Sequence, residues 1–219
     1  MAPPMNVHGR LIADPEAKLA DFIVHDAYQH YDCKGIPAEP RPDVISRDQL
    51  RITNRAMRAR ASLKALQPFL DTPLPELAAL PTDIDLVDSS EGRLARALDL
   101  LRIALQRLCV PMIKDSAATK LLYLKRPALV AISDTYVRSA LRIEAPPGPE
   151  RAIAVARAIR TVGLANAEAL AAFKIFADSV TKLMQDAVPL SKARLLDILI
   201  WVEQARASGH AFWSRKYPL

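Results

Sequence analysis

The chain has 219 residues, 51% of them apolar and 25% charged, with a net charge of +6. That balance excludes a disordered or fibrous polymer and supplies material for a sizeable core. No run of about 18 uncharged apolar residues occurs, which excludes a transmembrane helix. Two cysteines and an N-terminus without the basic and apolar regions of a signal peptide lead to the expectation of a reduced, cytoplasmic setting.

Apolar residues recur at steps of three and four without an alternating run, so the predicted fold is all-α. Only six glycines are present and no Asn-Gly or Asp-Gly pair, so hairpins are not expected and prolines mark the boundaries. Residues 1–13 read as a flexible arm, and 14–219 as a single α-helical domain. Two lobes divided near 71–88 are the alternative. A first helix is predicted after Asp14, with Pro15 leading and an end near Gln29. Residues 31–45 are a proline-rich connector and 46–70 are helical. Residues 71–88, with three prolines and four aspartates, read as a long loop. Ser89 or Ser90 caps a helix to about Leu108, with Leu94, Leu98, Leu101, Leu105 and Leu108 on one stripe. The sharpest break is Pro146-Pro147-Gly148-Pro149, and Pro149 opens a helix to about Thr161. Asn166 caps the next, to about Gln185, and Ser191 caps the last, which ends before Gly209.

Charge is unevenly spread. Residues 1–110 hold 14 Lys/Arg against 15 Asp/Glu, and residues 111–219 hold 16 against 9. The excess in the second half suits either a polyanion or plain solubility. Residues 111–142 concentrate it: Lys120, Lys125, Arg126 and Arg138 lie around one carboxylate, Asp134. Pro127 disfavours helix at Arg126, so Lys125 and Arg126 fall at a helix C-terminus, where the dipole favours cations. Ser133 can cap a helix that Asp134 opens. Asp134 is then either a helix-end carboxylate in an ion pair or a catalytic base or charge stabiliser.

The segment Val110-Pro111-Met112-Ile113-Lys114-Asp115-Ser116-Ala117-Ala118, followed by Asp134-Thr135-Tyr136-Val137-Arg138, resembles the hairpin and catalytic motif of the helix-hairpin-helix DNA glycosylase superfamily. The resemblance implies a scaffold of that kind with Asp134 as catalytic carboxylate. It departs from the family at Met112 and Lys114, which stand where glycines let the backbone approach a phosphate. Ser116 stands at the lysine nucleophile's position, so a Schiff-base step is not supported, and the four-cysteine cluster loop is absent. Lys120-Leu121-Leu122-Tyr123-Leu124-Lys125-Arg126-Pro127 and Arg194-Leu195-Leu196-Asp197-Ile198-Leu199-Ile200-Trp201 together resemble an uncharacterised family of α-helical bacterial proteins, similar to that scaffold with its hairpin degenerate. That family implies a fold and no activity.

Arg194, Asp197 and Trp201 lie along one helix face among apolar neighbours, as a buried polar cluster. A buried Arg–Asp pair needs further partners, for which Asp134 and Lys125-Arg126 are candidates. Arg51, Arg55 and Arg58 share another face, with Arg60 and Lys64 nearby and no acid from 49 to 70. They form a phosphate-contacting stripe or a solvated face. Trp213, Arg215, Lys216 and Tyr217 mix aromatics with bases, for stacking on nucleobases or for docking on the body. His25, His30 and Cys33, with Asp26 and Asp32, fit no strong zinc spacing, so no metal or cofactor is expected. These features predict a nonenzymatic binding module that contacts DNA or RNA through Lys120, Lys125, Arg126 and Arg138. A divergent nucleic-acid enzyme using Asp134 and a regulatory protein-binding protein are the alternatives.

Overall fold

The computed structural model describes residues 2–23, 27–184 and 187–209. It opens with an antiparallel ribbon, β1 (Met5–Val7) and β2 (Arg10–Ile12). Then come α1 (Pro15–Ile23), a π-helical segment (Ala27–Asp32) and α2 (Cys33–Gly35). The middle holds α3 (Arg47–Ala56), α4 (Leu63–Leu66), α5 (Pro75–Ala78) and α6 (Glu91–Leu108). The rest is α7 (Asp115–Tyr123), α8 (Thr135–Ala140), α9 (Pro149–Ala165), α10 (Ala167–Lys182) and α11 (Lys192–Ala207). The fold is mostly helical, as the apolar periodicity predicts.

Local chemistry accounts for many of the boundaries. Ser46 and Gln49 form a capping box at α3, with Ser46 Oγ accepting from the Gln49 amide at 3.1 Å. Pro149 stands in the first turn of α9, after Gly148 at φ 127, which suits glycine. Ser191 Oγ accepts from the Arg194 amide at 3.1 Å and donates to the Pro127 carbonyl at 2.7 Å, so the α11 cap also fixes the helix to the chain after α7. The five leucines of the α6 stripe are all buried.

Within the predicted arm of residues 1–13, residues 5–12 are not loose. His8 and Gly9 turn the ribbon with φ 49 and 82, and Met5, Val7 and Ile12 are buried. Strands of three residues are too short to show alternation, and the turn uses His-Gly rather than Asn-Gly. Asn166 does not cap α10 with its side chain. It clasps β1, accepting from the Asn6 amide at 2.7 Å and donating to the Asn6 carbonyl at 2.9 Å. The first helix is described from Pro15 to Ile23, and the chain is helical again, in the π form, over 27–32; residues 24–26 lie outside the described residues.

The 71–88 stretch does not divide two lobes. Leu74, Leu77, Leu80, Ile84, Leu86 and Val87 enter one continuous core. Arg126 holds this stretch in place. Its guanidinium donates to Leu80 O at 2.9 and 2.7 Å, Leu77 O at 2.7 Å and Pro42 O at 2.9 Å. The Leu77 and Leu80 carbonyls lie at the end of α5, where helical N–H donors run out. Removing the donors strands the Leu80 and Pro42 carbonyls, at about 1–3 kcal/mol each, while Leu77 O keeps the Leu80 amide at 3.1 Å. Arg126→Met is therefore expected to lower unfolding free energy by at least about 2 kcal/mol, and to open 71–88 to limited proteolysis. Arg126→Lys keeps the charge without the planar fork and should fall between.

Candidate functional site

The most elaborate polar arrangement is centred on Arg194. Its Nε donates to Asp32 Oδ1 at 3.0 Å and its NH2 group to Asp32 Oδ2 at 2.9 Å, a two-pronged pair. Its NH1 group reaches Asp197 Oδ2 at 2.6 Å, one turn along α11. Tyr123 of α7 donates to Asp32 Oδ1 at 2.6 Å. The guanidinium carbon lies 5.0 Å from the Tyr123 ring centre, 5.6 Å from that of Tyr31 and 5.5 Å from that of Phe22. Tyr31 and Tyr123 stack at 5.5 Å. Burial holds both phenols well above their usual range, with Asp32 adding to the shift, so they remain neutral. The π-helical segment brings Tyr31 and Asp32 into this cluster.

Arg194 and Asp197 thus pair as their spacing predicts, but the further partner is Asp32, 162 residues away, and not Asp134 or Lys125-Arg126. Trp201 meets Tyr136 of α8 edge-on, with ring centres 6.2 Å apart. Asp197 is buried, and its Oδ1 has no hydrogen-bond partner among the described residues. Burial pushes its carboxyl up to about 7; Arg194 opposes the shift, and the charges of Asp134 and Asp32 add to it.

Asp134 sits beside this centre, its side chain 20% exposed. It caps α8 itself, Oδ1 accepting from the Tyr136 amide at 3.0 Å, while Oδ2 lies 3.4 Å from Lys120 Nζ. Lys120 also donates to the Met57 carbonyl at 3.1 Å. Ser133, expected as the cap, turns inward instead and donates to Asp115 Oδ2 at 2.6 Å. Asp115 is fully buried and takes two further bonds from Arg151, at 2.9 and 2.6 Å. Burial raises this carboxyl, but Arg151, Ser133 and Arg138 more than offset that, leaving it below its usual range. It ties α7 to α9 and to the segment before α8.

The bases expected to meet nucleic acid face inward. Lys125 donates to the carbonyls of Glu39 and Arg41 at 2.8 and 3.0 Å, and burial pushes its ammonium down to about 8. Arg126 clamps the 71–88 stretch, and Lys120 is buried against Asp134 and Met57. Arg138, only 16% exposed, donates to the Ser133 carbonyl and to Thr135 Oγ1 at 2.9 Å. Charge counting missed this because main-chain carbonyls can satisfy the donors of a buried cation without any carboxylate, and so leave no trace in residue type. Met112, in a glycine position of the glycosylase hairpin, has φ 73 and is 79% exposed.

Exposed bases are instead concentrated earlier. Arg55, Arg58, Arg60 and Lys64 are all exposed and form no ion pair among the described residues, whereas Arg51 pairs with Asp48 at 2.6 Å. Lys120 joins this stripe to the centre, because Met57, whose carbonyl it holds, directly precedes Arg58. Among the described residues no group of three or more His, Cys, Asp or Glu side chains is placed to hold a metal ion. His25, Asp26, Trp213, Arg215, Lys216 and Tyr217 lie outside the described residues. No helix of the described residues is long and apolar enough to cross a membrane.

The chain belongs to the family of unknown function DUF6308, whose model matches residues 24–204, a span from before Asp32 to beyond Trp201. No curated protein and no solved structure matches it. Nothing links the chain to the helix-hairpin-helix DNA glycosylases, and that expectation is set aside.

Two substitutions probe this region. Asp134→Asn keeps a good cap and loses the charge toward Lys120, so a loss below about 1 kcal/mol is expected. Asp134→Ala loses both and should cost about 1–2 kcal/mol in denaturant unfolding. For Asp197, a folded pKa of about 7 lies above the unfolded carboxylate value near 4. The native state then binds the extra proton, so this group's contribution to stability falls as pH rises from about 4 to about 7. Asp197→Asn removes that dependence. Melting series at pH 5 and pH 8 should show the mutant gaining on the parent at the higher pH; parallel curves would mean that Asp197 does not titrate there.

Proposed function

We propose that this protein is a nonenzymatic binding module for DNA or RNA, and that it contacts the phosphate backbone through Arg55, Arg58, Arg60 and Lys64. One observation carries the reading. These four exposed cations stand in ten residues without an acidic partner, while the bases of 120–138 are engaged inside the protein. Free cations on a phosphate backbone displace condensed counterions, which drives association without sequence readout. The binding reading is favoured over catalysis by Asp134 because both of its oxygens are engaged, one with the Tyr136 amide and one with Lys120.

Labelled single- and double-stranded DNA and RNA, titrated at several salt concentrations, test the reading. Association is expected at low salt, with log K falling by about 0.9 per phosphate neutralised for each decade of salt. The triple charge reversal of Arg55, Arg58 and Arg60 to Glu should weaken binding at least about tenfold and flatten the salt dependence by two to three such contacts. Reversal of Arg142, Arg157 and Lys182, exposed bases elsewhere, supplies the control. Equal losses in both triples, or no association at tens of micromolar protein, would defeat the proposal.

A further inference from the structure

The turn after α3 does more than carry charge, and the ligand assigned to it rests on the nucleic-acid reading of the exposed bases. Met57 closes α3 at φ −104 and ψ 4, and Arg58 comes next at φ 47, with Arg60 at φ 54. A right-handed residue followed by a left-handed one turns successive backbone N–H groups into a single concavity, a geometry that receives anions. Among the described residues the amides of Arg58, Ala59 and Arg60 have no backbone or side-chain acceptor. Left-handed geometry is unfavourable for any residue with a Cβ. Nowhere else among the described residues do two non-glycine residues within three adopt it.

The turn is held in this shape from both ends. Asn54 accepts from the Ala61 amide at 2.8 Å and donates to the Ala61 carbonyl at 2.9 Å, so one side-chain amide staples the far end shut. At the near end, the Lys120 ammonium holds the Met57 carbonyl at 3.1 Å. Ala61 is buried behind the staple, while Arg58 and Arg60 remain exposed. Strain maintained by outside supports, at a place where charge faces solvent, is the pattern of a pre-organised ligand clamp.

We infer that residues 57–60 form a preformed phosphate-binding loop. It takes one phosphodiester of a nucleic-acid backbone on the amides of Arg58, Ala59 and Arg60, with the Arg58 and Arg60 guanidiniums available to close on it. Asn54 is its positioning residue: it touches no phosphate and acts by keeping the loop in shape.

Amide resonances of the ¹⁵N-labelled protein, followed during titration with a single-stranded oligonucleotide and separately with inorganic phosphate, test this. The oligonucleotide should shift the Arg58, Ala59 and Arg60 amides. Asn54→Ala leaves every charge in place, so it should weaken oligonucleotide binding about fivefold through lost pre-organisation with the salt dependence unchanged. A thermal melt confirms that this variant is folded. If it is not, Ala59→Gly loosens the loop without touching a charge or the staple, and should weaken binding in the same sense. Oligonucleotide binding that leaves the three amides unmoved, or that Asn54→Ala and Ala59→Gly do not weaken, overturns the loop and leaves the binding-module reading standing. Shifts produced by inorganic phosphate with no association of the oligonucleotide overturn the nucleic-acid assignment of the loop together with that reading.

Discussion

A guanidinium buried in the middle of a protein has to be neutralised where it sits, and much of this architecture depends on how Arg194 is. Its charge is divided between Asp32 and Asp197, its faces lie against Phe22, Tyr31 and Tyr123, and Tyr123 shares the Asp32 carboxylate. The five partners come from four parts of the chain: α1, the π-helical segment, α7 and α11 itself. Removing Asp32 or Arg194 leaves its partner charged and unsolvated, a condition far more unfavourable than the net worth of any one bond. The arrangement is therefore better regarded as a specification of which elements meet than as a large source of stability.

The cations divide the labour between them. Arg194, Arg126, Lys125, Lys120 and Arg138 serve the interior, by binding a carboxylate or by closing off carbonyls at helix ends and turns. Arg55, Arg58, Arg60 and Lys64 serve the surface. Net charge counts both sets alike, but only the second contributes to a field that an approaching polyanion would meet at close range.

What the sequence reveals and conceals can be traced residue by residue. The α6 stripe, the Pro149 start and the Ser191 cap were legible because each is decided within one or two helical turns. So was the Arg194–Asp197 pair, fixed by a three-residue spacing. The role of Asp32 was hidden, because its partner lies 162 positions away and no local rule couples them. The inward turn of Ser133 and the engagement of Lys125 and Arg126 with carbonyls were hidden for a related reason: every residue offers a carbonyl, so residue types hold no complementary signal. The N-terminal ribbon escaped notice because its pairing is three residues long and its hold on the body runs through Asn166.

The distance in sequence between Asp32 and Arg194 also bears on how the chain reaches this shape. During synthesis the carboxylate of Asp32 emerges long before the guanidinium that answers it, and β1 emerges long before Asn166. Contacts of such separation close large loops, and their entropy is lost before the reward arrives. Asp32 and β1 are therefore without these partners until the later segments have been made. Helices such as α6 can form and pair early, but the centre stays open to water until α11 is complete. Locking of this centre thus waits for an arginine that follows Asp32 by 162 residues.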